Sequence, residues 1–133
     1  MSDNKALQNP RVIIIQKLYS NSLNNDSEII FPKHRYRKFI KDVVNGTIER
    51  KEIIKDLIDR ELKTDINENK TELMVKLIIM AAVYEFMYMH KIPIKVVISE
   101  YLKAADFFVQ DAQKAFLNAI LDKISKVGRV DNQ

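Results

Sequence analysis

The side chains that most often carry out chemistry are few in this chain and poorly spaced for it. There are two histidines, His34 and His90, and no cysteine. His34 lies in a run of cations and His90 in a short connection. Neither has a second histidine or a carboxylate at the spacing of a His-Glu-x-x-His metal site. Without cysteine, disulfides, thiolate catalysis and Cys-ligated zinc drop out. The sequence holds no glycine-rich phosphate loop and no Gly-x-Ser-x-Gly elbow. Glu85 and Glu100 are the one candidate carboxylate pair, and nothing near them in sequence defines a substrate. The residues point away from an enzyme and call for no cofactor and no metal.

Binding chemistry is better represented. The net charge of +4 is unevenly placed. Residues 1–50 hold nine Lys/Arg against five Asp/Glu, and residues 51–133 hold equal numbers of each sign. The excess gathers in "KHRYRKFIK", Lys33 to Lys41, with Tyr36 inside it. A local basic surface with an aromatic ring suits a polyanion, and a solvated helix start accounts for it equally well. Four methionines, Met74, Met80, Met87 and Met89, offer the other kind of binding chemistry. They form either an adaptable docking surface, which self-association to a homodimer could also use, or plain core filler.

The elements that must position these residues are helical. With 133 residues, two Gly and three Pro, the chain has room for one core and for long helices, which argues against a sandwich or barrel. Apolar residues recur at helical spacing in six stretches. The first is Val12, Ile15, Leu18, Tyr19 and Leu23, although Ile13 to Ile15 alone would pass for a strand. The second is Tyr36, Phe39, Ile40, Val43 and Val44, closed by Asn45-Gly46 as a C-cap signal. Thr47 then caps a third, carrying Ile53, Ile54, Leu57, Ile58 and Leu62. After the polar "KTDINENKT", Thr71 caps a fourth that is apolar nearly all round from Leu73 to Met89 and therefore belongs at the centre. Pro93 opens a fifth with Ile94, Val97, Ile98, Tyr101, Leu102 and Ala105. The sixth runs from near Asp111 to Gly128 with Ala112, Ala115, Phe116, Ala119, Ile120 and Ile124 inward. The expectation is an all-α fold, a compact bundle of about six to seven helices in a single domain, residues 1–133. The run Leu73–Met89 contains Lys76 and Glu85 and is shorter than the roughly 20 residues of a membrane span. The polar N-terminus shows no signal peptide. A cytoplasmic protein is expected.

Glu85 interrupts the apolar fourth helix and is costly if buried unpaired. The preferred placement has its carboxylate accepting hydrogen bonds from the open N–H groups of the fifth helix, around Lys95 to Val97. Exposure to solvent is the other. Either way Glu85 and Pro93 are read as structural residues.

The order of these pieces resembles a known family. Tyr84-Glu85-Phe86, then Ile92-Pro93, then Val97-Ile98-Ser99-Glu100, then Phe116 to Lys123 as "FLNAILDK" follow the pattern of the transcription antitermination factor NusB family. "IQKLYS" at Ile15 to Ser20 and "VVNG" at Val43 to Gly46 match its earlier segments, so the resemblance spans essentially the whole chain. It implies an all-helical bacterial RNA-binding factor. Such a factor binds boxA-type RNA in nascent ribosomal RNA leaders together with NusE, a small-subunit ribosomal protein, and joins the RNA polymerase antitermination complex. By the same resemblance Tyr19, Phe108 and Phe116 lie at or near the RNA and partner surface; Lys5 and Arg11, on or before the first helix, are placed to approach phosphates, and Lys114 and Asn118 are surface candidates, which completes the expected RNA-binding set. Partner contacts fall on Tyr19, Val75 and Asp111. Phe116 sits on an apolar stripe, where core is the preferred reading over contact, and Tyr19 is also stripe-compatible. The family's arginine-rich opening helix is represented here by Lys5 and Arg11, a family glutamate falls on Val75, and the basic knot Lys33–Lys41 is a candidate to compensate. The alternative is a helical protein–protein interaction module whose basic face is incidental.

Overall fold

The structure, a computed structural model, describes residues 6–63 and 71–129. Six helices follow a short helical piece at residues 6–8: α1 Pro10–Leu23, α2 Arg37–Glu49, α3 Lys51–Leu62, α4 Leu73–Tyr88, α5 Ile94–Ala105 and α6 Asp111–Gly128. Among the described residues there is no strand, so the all-α expectation holds and Ile13 to Ile15 are helical. Most of "KTDINENKT" lies outside the described residues.

Local chemistry sets the helix starts. Asn9 accepts hydrogen bonds from the backbone N–H of Arg11 at 2.9 Å and Val12 at 3.3 Å, and Pro10 follows in the first turn, where it gives up no hydrogen bond. Pro93, extended at φ −60° and ψ 146°, is the N-cap of α5. Gln110 and Gln113 form a reciprocal capping box at the start of α6.

α4 is the centre of the bundle. Val75, Leu77 to Val83, Glu85 and Phe86 are buried, and the helix packs against all five others. Burial on every side explains its unbroken apolar sequence.

Four sequence expectations are corrected. Asn45-Gly46 does not end the second helix, which runs on to Glu49 and breaks at Arg50. No described residue has a positive φ. Gly46 serves close packing instead: a Cβ there would collide with the Tyr84 ring. Thr47 caps nothing; it lies inside α2, buried. Nor does Thr71 cap the fourth helix, whose N-cap is Glu72. The buried face of α6 carries Leu117, Ile120, Leu121 and Ile124, while Ala112, Ala115 and Ala119 are exposed. Two apolar rows compete on that helix, and the leucine row removes more apolar surface from water than the alanine row.

Glu85 is the largest correction. Its carboxylate faces Arg11 rather than the first turn of α5. Arg11 Nη2 donates to Oε1 at 2.6 Å and Arg11 Nε donates to Oε2 at 3.1 Å, with both side chains buried. Glu85 stands in the last turn of α4, where the helix dipole disfavours a negative charge, so a full cation is the stronger partner. A second arginine closes the same end. Arg129 donates from Nε to the Phe86 carbonyl and from Nη2 to the Glu85 carbonyl, both at 2.8 Å, and also reaches the Met89 and Ile92 carbonyls. Carbonyls at and just beyond the end of α4, two of which also accept backbone N–H groups, are thus bonded by a side chain from beyond α6.

Removing one partner of a buried pair leaves the other charge unpaired. Arg11→Ala or Glu85→Ala should each cost about 3–5 kcal/mol in urea unfolding, whereas Arg11→Met combined with Glu85→Leu should recover most of it. Additive losses in the double variant would contradict the pairing.

Candidate nucleic-acid interface

The end of the α1–α2 connection and the opening turns of α2 carry the chain's densest positive charge. Lys33, Arg35, Arg37, Lys38 and Lys41 are all exposed, and no acidic residue lies between them. Lys38 meets Asp42 at 2.8 Å, and that hydrogen bond holds its amine above the ordinary lysine range. Arg37 and Lys38 occupy the first turn of α2, which holds no acidic residue and has no side-chain cap. Cations at the positive end of a helix dipole raise the local potential rather than relieve it.

Tyr36 stands within this row, 46% exposed. The turn that presents it is pinned. The Tyr36 backbone N–H donates to His34 Nδ1 at 2.9 Å, which leaves the ring proton on Nε2, 3.2 Å from the Gln8 carbonyl. The Arg35 guanidinium sits 5.3 Å from the Tyr36 ring centre. An open cleft lies between Leu7–Gln8 and Lys33–Tyr36, and a second is lined by Glu28, Ile29, Phe31, Arg37, Lys41 and Asn45. Together these groups can grip phosphates and offer a base a flat face.

The residues expected from the sequence are dispersed. Lys5 lies outside the described residues. Arg11 is turned into the core, 7% exposed and held by Glu85, so it is not available to a phosphate; this corrects the expectation of a surface cation there. Val75 is 2% exposed and cannot meet a partner, because its side of α4 is covered. Tyr19 is 37% exposed on α1. Phe108 and Phe116 are half-buried against the core. Lys114 donates to Asp106 at 2.7 Å. Asp111 and Asn118 are exposed on α6. Met80 is buried, and Met74, Met87 and Met89 are half-buried against the core.

A third groove went unforeseen. It lies between α1, the α2–α3 junction and α4, with Leu18, Ile48, Leu77 and Met80 on its apolar side and Lys51 and Lys55 beside them. No periodicity announces it, since its walls come from four helices. Among the described residues no cluster of His, Asp and Glu could hold a metal ion, and no helix is long and apolar enough to cross a membrane.

The architecture defines a class: an all-helical protein wrapped on one central helix, with a cationic face. Residues 5–126 match the model of the NusB family, and the chain belongs to that family. It is 31% identical to the transcription antitermination protein NusB of Bradyrhizobium diazoefficiens over 93 residues, 70% of this chain and 56% of that protein. It is 30% identical to NusB of Rhodopseudomonas palustris strain BisB5, over 70% of this chain and 53% of that one. The matched stretch thus spans little more than half the length of these curated relatives. NusB of T. maritima shares the fold, with a TM-score of 0.76 and 24% identity over 90% of this chain and 89% of that one.

Arg11 sits among aromatic rings as well as against Glu85, with its guanidinium 5.0 Å from the Phe39 ring centre and 5.4 Å from that of Tyr101. Burial works against its charge, but the Glu85 hydrogen bonds and field outweigh that and raise its pKa. Tyr101 is fully buried beside the pair, and its hydroxyl has no hydrogen bond of standard geometry among the described residues. Burial, then the Glu85 charge, pushes its pKa well above the ordinary tyrosine value. The folded state therefore keeps this proton at a pH where the unfolded chain gives it up, and stability falls as pH rises past about 10. Tyr101→Phe should change unfolding free energy by less than about 1 kcal/mol at neutral pH, since little hydrogen bonding is lost. In urea melts taken at neutral pH and above about pH 10, the variant should lose less stability than wild type. An identical alkaline loss would contradict the placement.

Proposed function

We propose that this chain is a transcription antitermination factor. In this reading it binds boxA-type RNA in nascent ribosomal RNA leaders together with NusE, the small-subunit ribosomal protein, and joins the RNA polymerase antitermination complex in the cytoplasm. The observation that carries this is the family match over residues 5–126 to relatives named as antitermination proteins. The exposed cationic row supports it, because sequence-independent affinity for nucleic acid comes from Lys and Arg on phosphates. So does the groove between α1, α2–α3 and α4, whose apolar side suits a protein partner. The factor acts by holding RNA and protein together and needs no chemistry of its own.

The test is a fluorescence-anisotropy titration of boxA RNA and a scrambled RNA, each with and without NusE, at two salt concentrations. The proposal predicts preference for boxA, tighter binding with NusE, and affinity that falls as salt rises. Equal binding of both RNAs in the presence of NusE would instead favour a helical protein-interaction module with an incidental basic face.

A further inference from the structure

We propose that Lys33–Lys41 is the single-stranded RNA site of this chain, with Tyr36 stacking one unpaired base and the flanking cations holding the phosphates. This rests on the RNA-binding reading above and gives it a location. Three observations converge.

Arg11, the cation at the start of α1, is committed to Glu85 and buried. Its Nε and Nη2 are engaged by the Glu85 carboxylate, and its guanidinium lies between the Phe39 and Tyr101 rings. Five exposed cations stand instead along residues 33–41, with Asp42 pairing only Lys38. Two of them crowd the positive end of α2, an arrangement that costs the free protein and that a bound anion relieves.

Tyr36 adds what charge alone lacks. Its ring is nearly half exposed within a basic row, and its turn is fixed through His34 to the backbone at Gln8. A pinned aromatic ring is a platform only for a base that is already unstacked, which selects single-stranded RNA over duplex. An open cleft adjoins Tyr36 beside Leu7 and Gln8, and a second open cleft is lined by Arg37 and Lys41, with Glu28 also in its wall.

The probe is a fluorescein-labelled single-stranded boxA RNA, and the same RNA annealed to its complement, each titrated with NusE present. Tyr36→Ala should weaken single-strand binding about ten-fold with an unchanged salt slope and leave duplex binding alone, while Tyr36→Phe should bind like wild type. Neutralising Arg35, Arg37 and Lys41 together to glutamine should weaken binding of both RNAs and flatten the salt slope by about two. Melting temperatures check that each variant folds. If wild type binds RNA and every variant binds equally well, the site lies elsewhere and the RNA-binding reading stands. If wild type binds neither RNA, both fall. If the variants lose NusE but keep RNA, the row is a protein surface and the proposal is wrong.

Discussion

The bidentate contact between Arg11 and Glu85 is the constraint on which the rest of this molecule depends. It joins the first turn of α1 to the last turn of α4, 74 residues apart in sequence, inside a core that excludes water. α4 is otherwise apolar on nearly every face, so helical periodicity alone gives neighbours little reason to choose one rotation of it over another. A single carboxylate near its end, demanding one geometry from one guanidinium, supplies that reason. Phe39 and Tyr101 enclose the guanidinium, which ties α2 and α5 to the same point. Arg129 then bonds the carbonyls just beside it and fastens the end of α6 there. Five helices thus meet around one terminus of the central rod.

That arrangement has a consequence for the surface. A cation placed early in α1 by the sequence is spent on architecture. The basic row is carried by the end of the α1–α2 connection and the start of α2, where a short turn held by His34 displays Tyr36 among lysines and arginines. The two arginine environments differ in kind. Arg11 is desolvated, paired and fixed; Arg35 and Arg37 face solvent and are free to exchange water for phosphate. The core and the cationic face therefore draw on different cations.

Much of the fold was legible because it follows from local rules. The central place of α4 came from its all-round apolarity, and the starts of α5 and α6 from Pro93 and from Asp111. What was illegible depended on distant neighbours. Asn45-Gly46 looks like a helix end, and only the Tyr84 ring packed on that backbone shows why a glycine is needed in mid-helix. Thr47 has the right chemistry for a cap and lies inside a helix anyway, since the break falls at Arg50. The choice between the alanine and leucine rows of α6 is a matter of area, which periodicity does not weigh. For Glu85 the need for a partner was clear and its identity was not: an open helix terminus nearby and an arginine far away satisfy the same requirement on paper. Arg129 lies beyond the last helix and gives no sequence signal. In the candidate site, the basic knot was visible from charge alone, while Arg11 looked like a surface cation because burial of an arginine depends on a partner elsewhere in the chain.

The central claim is that Arg11 belongs to the core while the arginines of residues 33–41 face the ligand. The most direct measurement is the arginine Nε–Hε region of a proton–nitrogen correlation spectrum, recorded as boxA RNA and NusE are added. The account predicts an Arg11 Hε signal that is protected from exchange in the free protein and unmoved by RNA, with those of Arg35 and Arg37 shifting on binding. An Arg11 signal that exchanges rapidly in the free protein, or that moves with RNA while Arg35 and Arg37 stay still, would contradict it.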